Sequence, residues 1–316
     1  MTTPAGAPPR PAEGVVAWNV GTACNYRCSY CTQRGKADRG RWAEDLPAFL
    51  RGFARLEGDW EVKLSGGEPF QHPRIVDLVR GLAALGRRVS VVTNFSVSEA
   101  VLERFVDAVG DRAGTFSASL HLEYVRDPAA FAARAARLRR ELRARAGRSS
   151  PPPGVNVTVV ATRAALERLS ALDACFAAEG LALKLQPERE DGRRIAYTPA
   201  ELAMIADRGG HQGLGDVTHG FFGRPCWAGA RFFILDHRGE AYRCYPARRA
   251  VLAPLRASGG RIADPERERT LGRLGSFLDP AFRLPGAPAP CLHRSCYCSV
   301  PIARGMMART LPEEVA

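Results

Sequence analysis

The chain has 316 residues, of which 46% are hydrophobic, and a formal net charge of +12. A chain of this size can bury one large core with a smaller second domain beside it. No run of about 18 or more apolar residues occurs, so a membrane-spanning helix is not expected. The positive charge comes almost entirely from arginines that are scattered and form no aromatic-interleaved stripe, which argues against a nucleic-acid-binding protein. Residues 1–13 are rich in Pro and Ala without the apolar stretch of a signal peptide; we expect them to be disordered and the protein to be cytosolic (cytoplasmic).

Short apolar runs alternate with helical patterns over the first two thirds of the chain, which predicts βα units and a parallel sheet. The predicted strands cover residues 15–20, 61–64, 89–93, 115–120, 155–160 and 181–186. The predicted helices between them cover residues 46–56, 74–85, 98–109, 128–145 and 164–179. The fold class is therefore α/β, as an open, partial (β/α)6 barrel whose chemistry lies at the carboxyl ends of the strands.

The composition changes after the sixth predicted strand. We expect the barrel to occupy residues 14–190, a connecting region to occupy residues 191–225, and a small Cys-rich domain to occupy residues 226–316. Within that Cys-rich domain, a pair of short apolar runs, residues 232–235 and 241–243, flanks a turn that contains Gly239. This pattern predicts a β-hairpin.

Nine cysteines are many for a cytosolic chain of this length, where clustered cysteines bind metals more often than they form disulfides. One group near the start of the chain is Cys24, Cys28 and Cys31. A second group near the end is Cys226, Cys244, Cys291, Cys296 and Cys298. Cys175 stands alone in an apolar helical stretch, and we expect it to be a buried core thiol.

The first group has the spacing Cys-x3-Cys-x2-Cys directly after the first predicted strand. Three thiolates in one loop can hold three irons of a [4Fe–4S] cube and leave the fourth iron open to a ligand. The alternative is a structural zinc site, which needs four ligands. No fourth Cys or His lies next to the group in the sequence, so the spacing favours the cluster.

This spacing, with Tyr30 before the last cysteine, resembles the signature of the radical S-adenosylmethionine (SAM) superfamily. The second predicted strand ends in the residues Ser65, Gly66, Gly67, Glu68 and Pro69, which resemble the GGEP motif of that family. The resemblance implies that SAM binds the open iron and that this motif contacts its amino group, with Glu68 as the anionic acceptor. It also implies that an electron donor such as flavodoxin or ferredoxin reduces the cluster, and that SAM is then cleaved to a 5′-deoxyadenosyl radical. That radical abstracts a hydrogen atom from an unactivated C–H bond.

Further SAM contacts follow from the resemblance by position. Polar residues at the ends of the third and fourth strands contact the methionine or ribose in family members, and here they are Thr93, Asn94, Ser117 and Ser119. An arginine on the next helix is expected to pair with the carboxylate of SAM: Arg134, or in its place Arg137 or Arg140. Each of these residues could instead be an ordinary capping or solvated side chain.

The second cysteine group begins with Cys226, Gly239 and Cys244, which resemble the Cys-x(n)-Gly-x4-Cys opening of the SPASM and twitch extensions of the superfamily. Those extensions bind auxiliary [4Fe–4S] clusters. Five cysteines favour the twitch type with one auxiliary cluster over the two-cluster SPASM type. The spacing among Cys291, Cys296 and Cys298 departs from the usual Cys-x2-Cys, so the choice of ligands among them stays open. A structural zinc knuckle is the alternative.

Two substrate classes are compatible with this resemblance. Relatives with one auxiliary cluster include dehydrogenases of antibiotic intermediates, which implies a sugar, aminocyclitol or nucleoside that is oxidised, epimerised or coupled. Other relatives modify ribosomally made peptides, and many of those carry an N-terminal leader-binding domain. Only 14 residues precede the first predicted strand, so we expect no such domain and favour the small molecule. The predicted substrate-facing residues are His121, Glu123, Gln186 and Arg189, with His121 as an acid–base group.

Overall fold

A computed structural model describes residues 13–31, 33, 42–146, 152–190, 193–210, 221–257 and 264–293. Residues 1–12 of the predicted N-terminal segment, together with Cys296 and Cys298, lie outside the described residues. Among the helices that the structure describes, none combines the length and the apolar character that a bilayer crossing requires.

A nine-stranded sheet forms the centre of the fold. Its first six strands run parallel and are neighbours in chain order, which confirms the α/β class and the parallel sheet. These strands are β1 (Gly14–Gly21), β2 (Trp60–Gly66), β3 (Arg88–Thr93), β4 (Ala113–Leu120), β5 (Gly154–Val160) and β6 (Leu183–Gln186). Because they are parallel, their carboxyl ends meet at one edge of the sheet, where the loops that follow them come together.

Helices lie between the strands: α1 (Trp42–Ala54), α2 (Ile75–Ala84), α3 (Glu99–Val109), α4 (Pro128–Arg145), α5 (Arg163–Glu167), α6 (Leu169–Ala178) and α7 (Pro199–Ile205). The start of α4 follows from local chemistry: Asp127 accepts hydrogen bonds from the backbone N–H groups of Ala129 and Ala130, and Pro128 occupies the first turn. The helix predicted over residues 164–179 is divided into α5 and α6 at Arg168, whose ψ of 3° is not helical.

The C-terminal region adds to the same sheet. The remaining elements are β7 (Arg189–Glu190), β8 (Arg193–Arg194), β9 (Pro225–Cys226), β10 (Phe232–Leu235), β11 (Glu240–Tyr242), α8 (Tyr245–Ala257), α9 (Pro265–Thr270), β12 (Arg273–Ser276) and β13 (Ala289–Pro290). Strand β10 pairs parallel with β1, and β11 pairs antiparallel with β10, so the predicted hairpin is confirmed. Gly239 has a φ of +88° in its turn, a conformation that favours glycine. The domain boundary at residue 226 stays a prediction; the strands on both sides of it share one sheet.

The two faces of the sheet bury different side chains. One face packs its strand residues, Val62, Leu64 and Phe116 among them, into the main apolar core. The opposite face is most apolar near β1 and β10, where Val15 and Ile234 form a second core together with Cys226 and Cys244. Along β2 to β6, side-chain alternation places mostly polar residues on that face. This polar face is formed by Glu61, Lys63, Ser65, Ser90, Ser117, Ser119, Thr158, Lys184 and Gln186.

Candidate cluster and SAM site

The first three cysteines lie in the loop that follows β1, residues 22–31, which we call the cysteine loop. None of the three cysteines is in a disulfide; Cys24 and Cys28 are half-buried and Cys31 is exposed. The Cys31 N–H donates to the Cys28 carbonyl at 3.1 Å, and the Tyr26 N–H donates to the Cys24 sulfur at 3.4 Å. The loop is contacted by residues at the carboxyl ends of β2, β3 and β4.

The end of β2 binds the cysteine loop through its backbone. The Gly67 N–H donates to the carbonyl of Gly21 at 2.9 Å, and the Glu68 N–H donates to the carbonyl of Ala23 at 2.8 Å. A Cβ atom on Gly66 would overlap the Gly21 carbonyl oxygen, and one on Gly67 would overlap that of Ala23. The two glycines are therefore needed for the close approach of the cysteine loop itself.

The carboxylate of Glu68 is buried and already has protein partners. It accepts hydrogen bonds from the Phe70 N–H at 3.0 Å, the Thr93 hydroxyl at 2.8 Å and the Asn94 N–H at 2.6 Å. Burial raises the pKa of Glu68, and the three hydrogen bonds oppose that rise. A contact with the amino group of SAM, as predicted, would be a fourth hydrogen bond to the Glu68 carboxylate. In the structure, the bond between Glu68 and Thr93 joins the end of β2 to the end of β3.

Asn94, at the end of β3, reaches the cysteine loop. Its side-chain amide donates to the Asn25 side-chain oxygen at 2.8 Å and lies 4.0 Å from the Cys24 sulfur. Its own side-chain oxygen accepts from the Ser96 N–H at 3.0 Å and from the Ser96 hydroxyl at 2.6 Å. Phe95, between them, has a φ of +58°, in the left-handed region that non-glycine residues rarely adopt. This strained turn aims Asn94 at Cys24 and not outward.

The turn after β4 contacts the cysteine loop from a third side. The Nδ1 atom of His121 lies 2.9 Å from the Tyr30 hydroxyl and 3.4 Å from the Cys28 sulfur. The Glu123 carboxylate accepts the Ser29 N–H at 3.1 Å. The sequence predicted that His121 and Glu123 face the substrate; in the structure both point at the cysteine loop. Burial and nearby negative charges raise the pKa of Tyr30, so its phenol keeps its proton.

The zinc alternative needs a new test, because the fold brings His121 next to Cys28 although it is distant in sequence. Over the described ranges, no three His, Cys, Asp or Glu side chains come together closely enough to bind one metal ion. A structural zinc requires four ligands on a single ion, whereas a cube takes each thiolate on a different iron. Three cysteines spaced along one loop, none of them in a disulfide, therefore fit the cluster better than zinc.

The other predicted SAM and substrate residues are spread around the same edge of the sheet. Ser117 and Ser119 are half-buried on the polar face, and so is Gln186 at the end of β6. Ser65 donates to the side chain of Asn19 at 3.0 Å, Pro69 is buried at the start of a short 3-10 helix, and Arg189 belongs to the β7–β8 hairpin.

Arg134 has partners of a different kind from the predicted one. Its guanidinium donates to the carbonyls of Phe95, at 2.6 Å, and Val97, forms an ion pair with Glu99, and stacks on the Phe95 ring at 4.2 Å. These contacts hold the strained turn after β3. The structure therefore gives no support to a contact between Arg134 and the carboxylate of SAM.

Three cysteines of the second group share one buried cluster, although their side chains are not close enough to bind one metal ion. Cys226, Cys244 and Cys291 are all buried in the second core, and the pairing of β9 with β13 places residues 289–291 against residues 224–226. The pKa of the Cys226 thiol is raised to about 11, chiefly by burial and in smaller part by Cys291 and Cys244, while the Ala228 N–H and Arg243 oppose the rise. The lone Cys175 is half-buried against the main core.

Arg243, which the sequence did not single out, connects the segments that carry these cysteines. Its buried guanidinium donates to the carbonyls of Ala228 at 2.7 Å, Pro290 at 2.7 Å and Cys226 at 3.4 Å, and also to that of Ala289. It therefore ties the β9 segment to the β13 segment from a position next to Cys244.

Comparison with known proteins agrees with this geometry. Residues 18–144 match the family model of the radical SAM superfamily. Among curated proteins, neomycin C epimerase of Streptomyces fradiae is 33% identical over 132 residues, which cover 39% of this chain and 40% of the epimerase. The GTP 3′,8-cyclase of Synechococcus elongatus is 38% identical over 78 residues, which cover 22% of this chain and 24% of the cyclase.

Two solved structures share the fold. Streptococcus suis SuiB bound to S-adenosylmethionine has a TM-score of 0.56 at 14% identity, covering 85% of this chain and 64% of SuiB. The enzyme anSMEcpe, bound to AdoMet and a peptide, has a TM-score of 0.51 at 15% identity, covering 85% of this chain and 78% of that one. This chain spans less than half of the curated relatives described here. Proteins of the matched superfamily use a [4Fe–4S] cluster and SAM. The match over residues 18–144 therefore shows a radical SAM domain in this chain.

Proposed function

We propose that this protein is a radical SAM enzyme that abstracts a hydrogen atom from a small polar molecule, a sugar, an aminocyclitol or a nucleoside, in the biosynthesis of a natural product. The outcome would be oxidation, epimerisation or C–C coupling. The relatives at 33–38% identity support this class, since their names refer to an aminoglycoside antibiotic and to a nucleotide. The peptide-bound neighbours are under 25% identical and speak for the fold alone.

The first centre would be held by Cys24, Cys28 and Cys31, with SAM beside it. When bound, the cluster and SAM together supply a radical strong enough to remove hydrogen from an unactivated C–H bond. The residues of this chain position the two groups: the backbone N–H groups of Gly67 and Glu68 hold the start of the cysteine loop. The half-buried hydroxyls of Ser117 and Ser119 face the space above the sheet where SAM and substrate would be oriented.

The polar face is the observation that carries the choice of substrate. It presents hydroxyls, the amide of Gln186 and the ammonium groups of Lys63 and Lys184 within one surface. Lys184 is half-buried, and burial lowers its pKa. Lys63 lies 3.5 Å from the buried Glu61. Val92 and Val160 lie on the same face, but most of its side chains are hydrogen-bonding groups, which suits a hydroxyl-rich ligand better than an apolar peptide side chain.

A second centre, one auxiliary [4Fe–4S] cluster, would be held by Cys226, Cys244 and Cys291, with Cys296 or Cys298 as a further ligand. The burial of these three thiols in one cluster supports it, because cysteine thiolates are the usual ligands of such centres. Arg243 contributes a positive charge beside the three sulfurs. A small acidic electron donor such as flavodoxin or ferredoxin suits the net charge of +12.

The experiment is an anaerobic assay of the reconstituted protein with SAM and dithionite, in which 5′-deoxyadenosine is measured against a panel of aminoglycosides, aminocyclitols and nucleosides. A second panel contains short synthetic peptides. We expect one member of the small-molecule panel to raise 5′-deoxyadenosine above the basal rate, and a Cys28→Ala control to form none. Stimulation by peptides alone would replace this proposal with a peptide-modifying function.

A further inference from the structure

The turn that follows β4 does more than border the site. We propose that residues 121–124, which we call the clasp, position the cysteine loop and direct a hydrogen bond to the Cys28 sulfur. The inference rests on the proposed function in one respect, that Cys28 ligates the cluster. It assigns His121, Glu123 and Tyr124 to the cofactor loop as positioning residues.

The clasp contacts five consecutive positions of the cysteine loop, residues 26–30. Tyr124 accepts the Arg27 N–H on its hydroxyl at 2.7 Å. Its ring stacks on that of Tyr26 at a centroid distance of 4.0 Å and an angle of 6°. Glu123 accepts both the N–H and the hydroxyl of Ser29. These bonds bracket Cys28 on both sides, so the clasp fixes the backbone that carries its thiol.

The clasp is itself held in one conformation. The N–H groups of Tyr124 and Val125 both donate to the His121 carbonyl at 2.9 Å, which closes the turn. It leaves from β4, a strand paired on both edges, and it is followed by α4, whose first turn Asp127 caps. A positioning element on rigid secondary structure holds its targets more accurately than one on a free loop.

His121 is the residue that would donate the hydrogen bond to the Cys28 sulfur. Its Nδ1 atom lies within 2.9 Å of the Tyr30 oxygen and 3.4 Å of the Cys28 sulfur, and its ring lies almost parallel to that of Tyr30. Once Cys28 is an iron-bound thiolate, its sulfur has no proton to give. In the tautomer that carries its proton on Nδ1, this single N–H lies within reach of both the Cys28 sulfur and the Tyr30 oxygen, and Nδ1 then accepts no proton from the Tyr30 phenol.

A hydrogen bond to a ligating sulfur withdraws negative charge from the cluster. Because the reduced cluster carries one electron more than the oxidised cluster, such a bond stabilises the reduced form and raises the reduction potential. His121 should therefore ease the reduction that the proposed reaction requires. This role uses Nδ1 as a donor and assigns it no proton transfer with substrate.

The positioning role is tested on Glu123. The protein is reconstituted with iron and sulfide, and the loss of its iron to excess EDTA is followed for the wild type, Glu123→Ala and Glu123→Gln. We expect Glu123→Ala to lose iron from this centre at least severalfold faster, with Glu123→Gln in between because its amide oxygen can still accept one bond from Ser29. Glu167→Ala on the exposed side of α5 is the matched control and should behave as the wild type.

The hydrogen-bond role is tested on His121 by redox titration followed by electron paramagnetic resonance. His121→Leu removes the donor, and His121→Asn places an amide N–H close to the Nδ1 position without an acid–base group. We expect a more negative potential for His121→Leu and a return towards the wild-type potential for His121→Asn. If His121 were instead a general base for the substrate, both variants would be inactive and the reduction potential would be unchanged.

The proposed function and the clasp fail in different ways. A wild type that binds no iron at Cys24, Cys28 and Cys31, or whose resonance signal does not respond to added SAM, would overturn the proposed function itself. A wild type with an intact, SAM-responsive cluster, and variants that match it in both iron retention and potential, would overturn the clasp alone. Circular dichroism melting of each variant identifies misfolding.

Discussion

Replacing Gly67 with alanine tests whether the Gly-Gly-Glu-Pro segment, residues 66–69, holds the cysteine loop by close backbone packing. The backbone of Gly67 does not have a positive φ, so a side chain is excluded by space alone. Its Cβ would overlap the carbonyl oxygen of Ala23 and would lie 2.5 Å from that of Thr22. Both obstacles are backbone atoms, which cannot rotate away as a side chain could.

The cost follows from these contacts. Relieving an overlap in a packed site costs about 1–3 kcal/mol. Moving the strand end away also lengthens the bonds from the Gly67 N–H to Gly21 and from the Glu68 N–H to Ala23, each worth about 1 kcal/mol. Gly67→Ala should therefore lower the free energy of unfolding of the metal-free protein by about 3–5 kcal/mol.

Urea unfolding of the metal-free, reduced protein, followed by circular dichroism, measures this loss. Gly286→Ala is the matched control, since a Cβ there would meet no atom within 4 Å. The same two variants are then reconstituted, and we expect Gly67→Ala to bind little iron in the cysteine loop. If Gly67→Ala were as stable as the control and bound a full cluster, the close approach of the two segments would be refuted.

Three further predictions concern single side chains. Arg243→Met leaves four carbonyls around Cys226 and Pro290 without the Arg243 donor, so we expect the free energy of unfolding in urea to fall by about 3 kcal/mol or more. The variant should also lose the irons of the proposed auxiliary cluster and keep those of the cysteine loop. In the metal-free protein, alkylation of Cys226 should accelerate about tenfold for each pH unit between about 7 and 10, because its thiolate fraction grows until the pH reaches its pKa of about 11. Mass spectrometry of the labelled peptide measures the rate of alkylation. A rate that stops rising near neutral pH would contradict the burial of this thiol. Arg134→Lys should lower the free energy of unfolding by about 1–2 kcal/mol and leave the affinity for SAM in equilibrium dialysis unchanged, since the Arg134 guanidinium already donates to the carbonyls of Phe95 and Val97. Weaker SAM binding at wild-type stability would instead support a contact between Arg134 and the carboxylate of SAM.

The main sheet was predictable because period-2 apolar runs and intervening helical patterns are local signals. Val89–Val91 and the capped start at Asp127 are examples in which neighbouring residues suffice. The pairing of β10 with β1 was not predictable, since nothing in Phe232–Leu235 says which strand edge it joins. That pairing decides that Cys226 and Cys244 lie beside the barrel and not in a detached unit.

For the site, spacing singled out the cysteines and the glycines as candidates but could not assign partners. Glu68, Thr93 and Asn94 were predicted to contact SAM because they lie at the correct edge, and their side chains bind one another or the cysteine loop. His121 was expected to face substrate for the same reason. Position along a strand gives the edge at which a residue lies, whereas the partner depends on distances between loops that are remote in sequence. Tyr124 could have been suspected from its place beside His121 and Glu123; Arg243 carries no local signal.

The most direct measurement of the central claim is the iron and sulfide content of the anaerobically reconstituted chain, in the wild type and in a variant with Cys24, Cys28 and Cys31 all replaced by alanine. Two [4Fe–4S] centres predict about eight irons per chain, falling to about four in the variant. A wild type with about four irons that all disappear in the variant, with zinc retained, would limit the account to one cluster and a structural C-terminal site. Iron unchanged by the triple replacement would contradict it.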